Sequence, residues 1–201
     1  MKLCQLIKFL ILNFTFLTLF LGCSPTFNTY KTLPHISMQV FIRPVSNNYD
    51  KLCALMLPPK LPPKNLTVEE AKRWQMAYGE IIQQCLLQTR AFYVVELQPP
   101  DQTVDEAIKE AKLWHLNCVI IPTITEILSP TDTSSGTLAL DFKVISVKTG
   151  LVLWSIYAQA TLTPQPYQDF IFWHQIFKPA TNITQALSIL TRDIAMVIKN
   201  N

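Results

Sequence analysis

Apolar and polar positions divide this chain into a head and a body. From residue 9 to residue 22 only Asn13, Thr15 and Thr18 are polar, and Lys2 and Lys8 are the only charges before residue 31. A short basic region, an apolar run of fourteen residues and a small residue at its end form the pattern of a secretory signal. A spanning helix needs about 20 apolar residues, so the run is too short for one. Residues 24–36 are polar, turn-rich and uncharged until Lys31, and read as a tether.

Beyond the tether the periodicity alternates between that of strands and that of helices. Residues 37–45 have strand character, with Met38, Val40 and Ile42 alternating, before a turn at Asn47-Asn48. Residues 52–57 are continuously apolar, as suits a strand buried on both faces, and Pro58, Pro59, Pro62 and Pro63 end that run. Thr67 and Glu70 form a capping box, in which side chain and backbone satisfy each other's unpaired donors. Ala71, Trp74, Tyr78, Ile81 and Cys85 then recur at spacings of three and four, one face of a helix closing at Thr89-Arg90.

Residues 92–97 predict the next strand, and Thr103 with Glu106 repeats the capping box for a helix to about Trp114. Residues 118–121 read as a buried strand that Pro122 interrupts and that resumes to Leu128. Leu138, Leu140, Phe142 and Val144 alternate with Ala139, Asp141 and Lys143, a strand with one wet face. Lys148-Thr149-Gly150 turns the chain into a further strand over residues 151–161. Asn182 with Gln185 offers a third capping box, and Ile183, Ala186, Leu187, Leu190, Ile194 and Ile198 form the stripe of a C-terminal helix.

Helices between the early strands require parallel crossovers, whereas the late hairpin is antiparallel. The expected class is α/β (α+β): a mixed sheet of five to six strands with helices packed on it, in the order β-α-β-α-β-β-β-α. The expected organisation is a signal over 1–22, a tether over 23–36 and a single α/β domain over 37–201.

Charge and cysteine usage change once the signal is set aside. Removing residues 1–22 takes two lysines and no acids from 17 basic and 14 acidic side chains, so the rest carries one net positive charge. With no basic run, nucleic acid is not an expected partner. Cys4 leaves with the signal, and Cys53, Cys85 and Cys118 remain in the body. Three buried small apolar residues are the favoured reading; one disulfide with a free thiol is the alternative in an oxidising compartment.

Phe20-Leu21-Gly22-Cys23 resembles a bacterial lipobox. That resemblance implies cleavage before Cys23 and fatty acylation of its thiol; Phe20 stands where the family usually has Leu. Two or three acyl chains would make the anchor effectively permanent. The alternatives are an ordinary cleaved signal with a chance cysteine, or an uncleaved anchor. Ser24, by the sorting rule of enteric bacteria, favours the outer membrane, with the domain facing the periplasm.

The body resembles the periplasmic α/β domain family represented by the N-terminal domain of TolB, CsgG, LpoB and PelC. Element order carries the likeness over roughly residues 52–199, with two local patterns. One is the strand Phe92-Tyr93-Val94-Val95-Glu96; the other is the hairpin running from Ser146-Val147-Lys148-Thr149-Gly150 to Trp154-Ser155. Ser146 replaces an Asp of the family pattern, and Leu116-Asn117-Cys118 replaces Gly-Ala-Asp. The resemblance implies a non-catalytic role in envelope assembly, secretion or polysaccharide or peptidoglycan machinery. Two mechanisms fit: self-association into a ring, or a tethered monomer that activates a synthase.

No residue pattern predicts an enzyme, a cofactor or a metal. His115 and Cys118 are spaced like metal ligands, but no second pair accompanies them, and a zinc site needs three or four ligands. Glu69-Glu70 and Asp105-Glu106 fall in first helical turns, where capping explains them. No glycine cluster exists to cradle phosphate. The unusual stretch is 166–179, where Tyr167, Phe170, Phe172, Trp173 and Phe177 crowd together. It reads equally as a flap filling the core or as an interaction surface. A ligand-binding module for a small apolar or glycan ligand is the alternative function, with a hydrolase well behind.

Overall fold

The computed structural model describes residues 32–42, 44, 52–63, 66–165, 168–169, 174–175 and 180–200. In chain order the elements are β1 (His35–Ile42), β2 (Cys53–Met56), α1 (Val68–Gln88), β3 (Val94–Leu97), α2 (Val104–Leu113) and β4 (Cys118–Leu128). Then come β5 (Gly136–Ser146), β6 (Val152–Leu162), the short pair β7 (Gln168–Asp169) and β8 (His174–Gln175), and α3 (Ile183–Lys199). Six strands form one mixed sheet in the order β1-β6-β5-β4-β2-β3. β2 runs parallel to both β3 and β4, while β4-β5-β6-β1 is antiparallel throughout. The expected class and element order hold.

Residue alternation decides which side of the sheet is dry. Ala54, Met56, Ile120, Leu138, Leu140, Phe142, Val144, Trp154 and Ile156 lie in one buried cluster with the inner faces of α1 and α3. Leu55, Leu57, Val119 and Val147 form a second cluster with Ala107 and Ala111 of α2, on the opposite side. β2 is therefore buried on both faces, as its unbroken apolar run predicts. Further along, Asp141, Lys143 and Tyr157 alternate with the core positions of β5 and β6, and Asp141 and Lys143 pair at 2.9 Å. That face is the wet one.

Of the three expected capping boxes, those at Thr67–Glu70 and Thr103–Glu106 are formed. Thr67 Oγ1 accepts from the Glu70 N–H while Glu70 accepts from the Thr67 N–H, and Thr103 with Glu106 repeats the arrangement. Those hydrogen bonds hold the Glu70 and Glu106 carboxyls below the ordinary carboxylate range. Asn182 Oδ1 accepts from the Gln185 N–H at 2.8 Å and caps α3.

Three local outcomes differ from the expectation. β1 begins two residues earlier than the alternation suggests, at His35. Pro122 does not interrupt β4, which runs unbroken from Cys118 to Leu128. The carbonyls of Ile120 and Pro122 accept from Leu57 and Lys60, and the Ile124 N–H donates to Lys60. The missing N–H of Pro122 thus faces the proline-rich loop, where no regular ladder needs it, and leaves the β5 ladder intact. Finally, Trp74 of the helical stripe is 47% exposed, because α1 buries Ile82, Cys85 and Leu86 more deeply than its N-terminal half.

The residues at the two departures from the expected pattern make local hydrogen bonds. Asn117 Oδ1 accepts from the Cys53 N–H at 2.8 Å, and its own N–H donates to the Cys53 carbonyl. Ser146 Oγ accepts from the Thr149 N–H at 3.3 Å inside the β5–β6 turn.

Candidate functional site: a cavity beside Trp74

Cys23 and the aromatic residues Tyr167, Phe170, Phe172, Trp173 and Phe177 lie outside the described residues. Of the stretch that holds those aromatics, β7 and β8 are described as a short antiparallel ladder, with Gln168 opposite Gln175 and Asp169 opposite His174.

Of the remaining candidates, Cys53 and Cys118 are neighbours, with Cys118 Sγ 3.5 Å from the Cys53 carbonyl oxygen. Cys53, Cys85 and Cys118 are free thiols. Ala54 pairs with Cys118 across the β2–β4 ladder, so Cys53, one residue earlier on its strand, belongs to the opposite face. Burial pushes the Cys118 thiol well above its ordinary range and raises that of Cys85, whose Sγ lies 3.5 Å from the Ser188 carbonyl. Buried, protonated thiols are inert. His115 is the first residue past α2 with a left-handed backbone, φ 55°, and its N–H bonds the Lys112 carbonyl while the Leu116 N–H bonds Ala111. It terminates the helix in a Schellman motif. Among the described residues no group of three or more His, Cys, Asp or Glu side chains could hold a metal ion, and no helix is long and apolar enough to cross a membrane.

What the elements do assemble is a cavity of about 620 Å³. It lies at the end of the sheet where β4 finishes, where β1 begins and where α1 and α3 start. Trp74 and Tyr78 form one wall, one helical turn apart on α1, with ring centroids 5.5 Å apart. Leu61, Pro62 and Leu66 from the loop before α1 form a second, and Ile127 of β4 with Pro130 a third. The polar edge comes from Ser129, Thr131 and Asp132 and from Asn182 and Thr184 at the head of α3. Partial burial raises the Tyr78 phenol above its ordinary value.

Much of that polar edge is already engaged. Asn182 Oδ1 caps α3. Thr131 Oγ1 lies 2.6 Å from Ser134 Oγ and accepts from the Ser134 N–H. The lining therefore offers an apolar body with a polar edge that is partly engaged already, which suits a hydrocarbon better than a polyol.

Sequence reasoning missed this site because Trp74 and Tyr78 belong to a good helical stripe, and a stripe reads as core. The signal that could have shown it is the density of prolines at 58, 59, 62 and 63. A stiff loop there lines the first turns of the helix without filling the space beside Trp74 and Tyr78.

No family model matches the chain. No curated protein sequence matches it either. Solved structures do. The PelC dodecamer from Paraburkholderia phytofirmans superposes with a TM-score of 0.57 at 13% identity, covering 82% of this chain and 98% of that one. Lipoprotein GNA1162 from Neisseria meningitidis gives 0.43 at 17% identity, over 75% of this chain and 99% of that one. The LpoB C-terminal domain from Escherichia coli gives 0.31 at 16% identity, over 59% and 87%. The chain therefore shares the α/β fold of PelC across nearly the whole of that protein, and at this identity the likeness is one of fold.

Proposed function

We propose that this chain is an outer-membrane lipoprotein, anchored through Cys23 and facing the periplasm, that works by protein–protein contact in an envelope assembly, secretion or polysaccharide or peptidoglycan system rather than by catalysis. The observation that carries this reading is Gly22-Cys23 at the end of a fourteen-residue apolar run behind two lysines. Eight residues, 24–31, lie between Cys23 and Thr32, where the described chain begins, so nine Cα–Cα steps join them. At 3.3–3.6 Å per residue they span about 30 Å at most, so the domain works close to its membrane.

The fold shared with PelC, whose solved form is a dodecamer, supports self-association over a monomer that reaches across the periplasm. The mass in solution of the acyl-free chain, begun at Ser24, tests this. A discrete oligomer well above the monomer mass is expected, and a strict monomer at all concentrations would contradict it. The cavity beside Trp74 favours a second, compatible reading, a ligand-binding module.

A further inference from the structure

The contacts of Thr32 place the cavity beside the start of the described chain. Thr32 forms a bridge with Ala180, which lines the cavity, and the Thr181 hydroxyl donates to the Thr32 carbonyl. The next residue, Leu33, is 85% exposed. Val68, two residues past the lining Leu66, is 72% exposed, and Leu128, next to the lining Ser129, is exposed as well. Exposed apolar side chains close in sequence to the lining mark a surface that meets a partner or a membrane.

We propose that the cavity binds one hydrocarbon chain of a lipid drawn from the membrane to which the protein is anchored. The proposal rests on the anchor reading, because the tether is what holds the mouth within about 30 Å of that membrane. The volume lies inside the usual range of small-molecule sites, about 300–1,000 Å³. Trp74, Tyr78, Leu61, Leu66 and Ile127 supply apolar walls for a chain, while Ser129 and Asp132 at the edge leave the polar headgroup in water. A sugar fits less well. Thr131 and Asn182, two of the five polar residues of the lining, already serve the turn and the helix cap. Burial of a few methylenes suffices for a site that is filled while the membrane is near.

The test uses the full acylated chain in phosphatidylethanolamine–phosphatidylglycerol vesicles that contain a phosphatidylethanolamine with a diazirine on one acyl chain. After photolysis, adducts are mapped by mass spectrometry. They are expected on peptides spanning residues 61–78 and 127–132. Thr184→Trp, at an exposed position in the first turn of α3, fills the mouth without touching the core and is expected to lower those adducts about tenfold. Adducts spread evenly over the surface, or unchanged by Thr184→Trp in a chain with an unaltered melting curve, would overturn the proposal. Flotation in the same samples reports the anchor separately. If the chain fails to float, a free diazirine-bearing oleic acid replaces the phospholipid. Adducts at the same peptides then sustain the cavity as a hydrocarbon site although the anchor has failed, and their absence there overturns it.

Discussion

Replacing Phe142 with alanine is expected to destabilise the domain by about 3–5 kcal/mol. Phe142 lies mid-strand on β5, opposite Pro122 of β4 and Ile156 of β6, and is fully buried in the larger core cluster. Deleting the ring removes its transfer free energy and leaves a void that two flanking strands, held by their ladders, cannot collapse to fill. Domains of this size are stable by about 5–15 kcal/mol in all, so the variant would lose a large share. The measurement is the shift in urea midpoint at unchanged slope. Lys143→Ala, the next residue on the same strand but on the wet face, is the control. Its partly exposed pair with Asp141 predicts a cost below about 1 kcal/mol.

Gly136→Ala is the second large effect, and its cause is space. A Cβ at Gly136 would sit 2.4 Å from the Leu128 carbonyl oxygen and 2.5 Å from the Pro130 nitrogen. Both are backbone atoms of the β4–β5 turn and cannot rotate away. The expected cost is about 3 kcal/mol, the upper end of the overpacking range, again read from the denaturation midpoint. Gly150→Ala separates this from conformational strain. Gly150 has φ +70°, and a methyl group added there would meet nothing within 4 Å, so its cost should be only about 1 kcal/mol. If the two variants cost the same, the steric account of Gly136 is wrong.

Period and punctuation made most of the fold legible. The 138–144 alternation located the core face of β5, and the two Thr-x-x-Glu boxes located the starts of α1 and α2 to the residue. Both signals are local, and the structure enforces them locally. Pro122 misled because a proline's effect on a strand depends on which side its nitrogen faces, and that is decided by a partner segment more than sixty residues away at Leu57 and Lys60. The start of β1 was blurred for a similar reason. His35 belongs to the strand because it pairs with Thr161, not because of its own character.

The candidate site was less legible than the fold. Trp74 and Tyr78 satisfy a helix-face pattern whether or not anything covers them, and the coverage is set by a loop, a turn and the head of α3 converging from distant parts of the chain. His115 illustrates the converse. Its spacing from Cys118 suggests a ligand pair, but the helix end and the sheet core claim the two residues separately.

The central claim is that Cys23 fixes this domain to a membrane. Metabolic labelling with palmitate, followed by fractionation of cells expressing the full chain or Cys23→Ala, tests it most directly. The account predicts labelled protein in the outer-membrane fraction, with the Cys23→Ala chain unlabelled and released from that membrane. An unlabelled wild-type chain, or a Cys23→Ala chain still retained at the membrane, would contradict it.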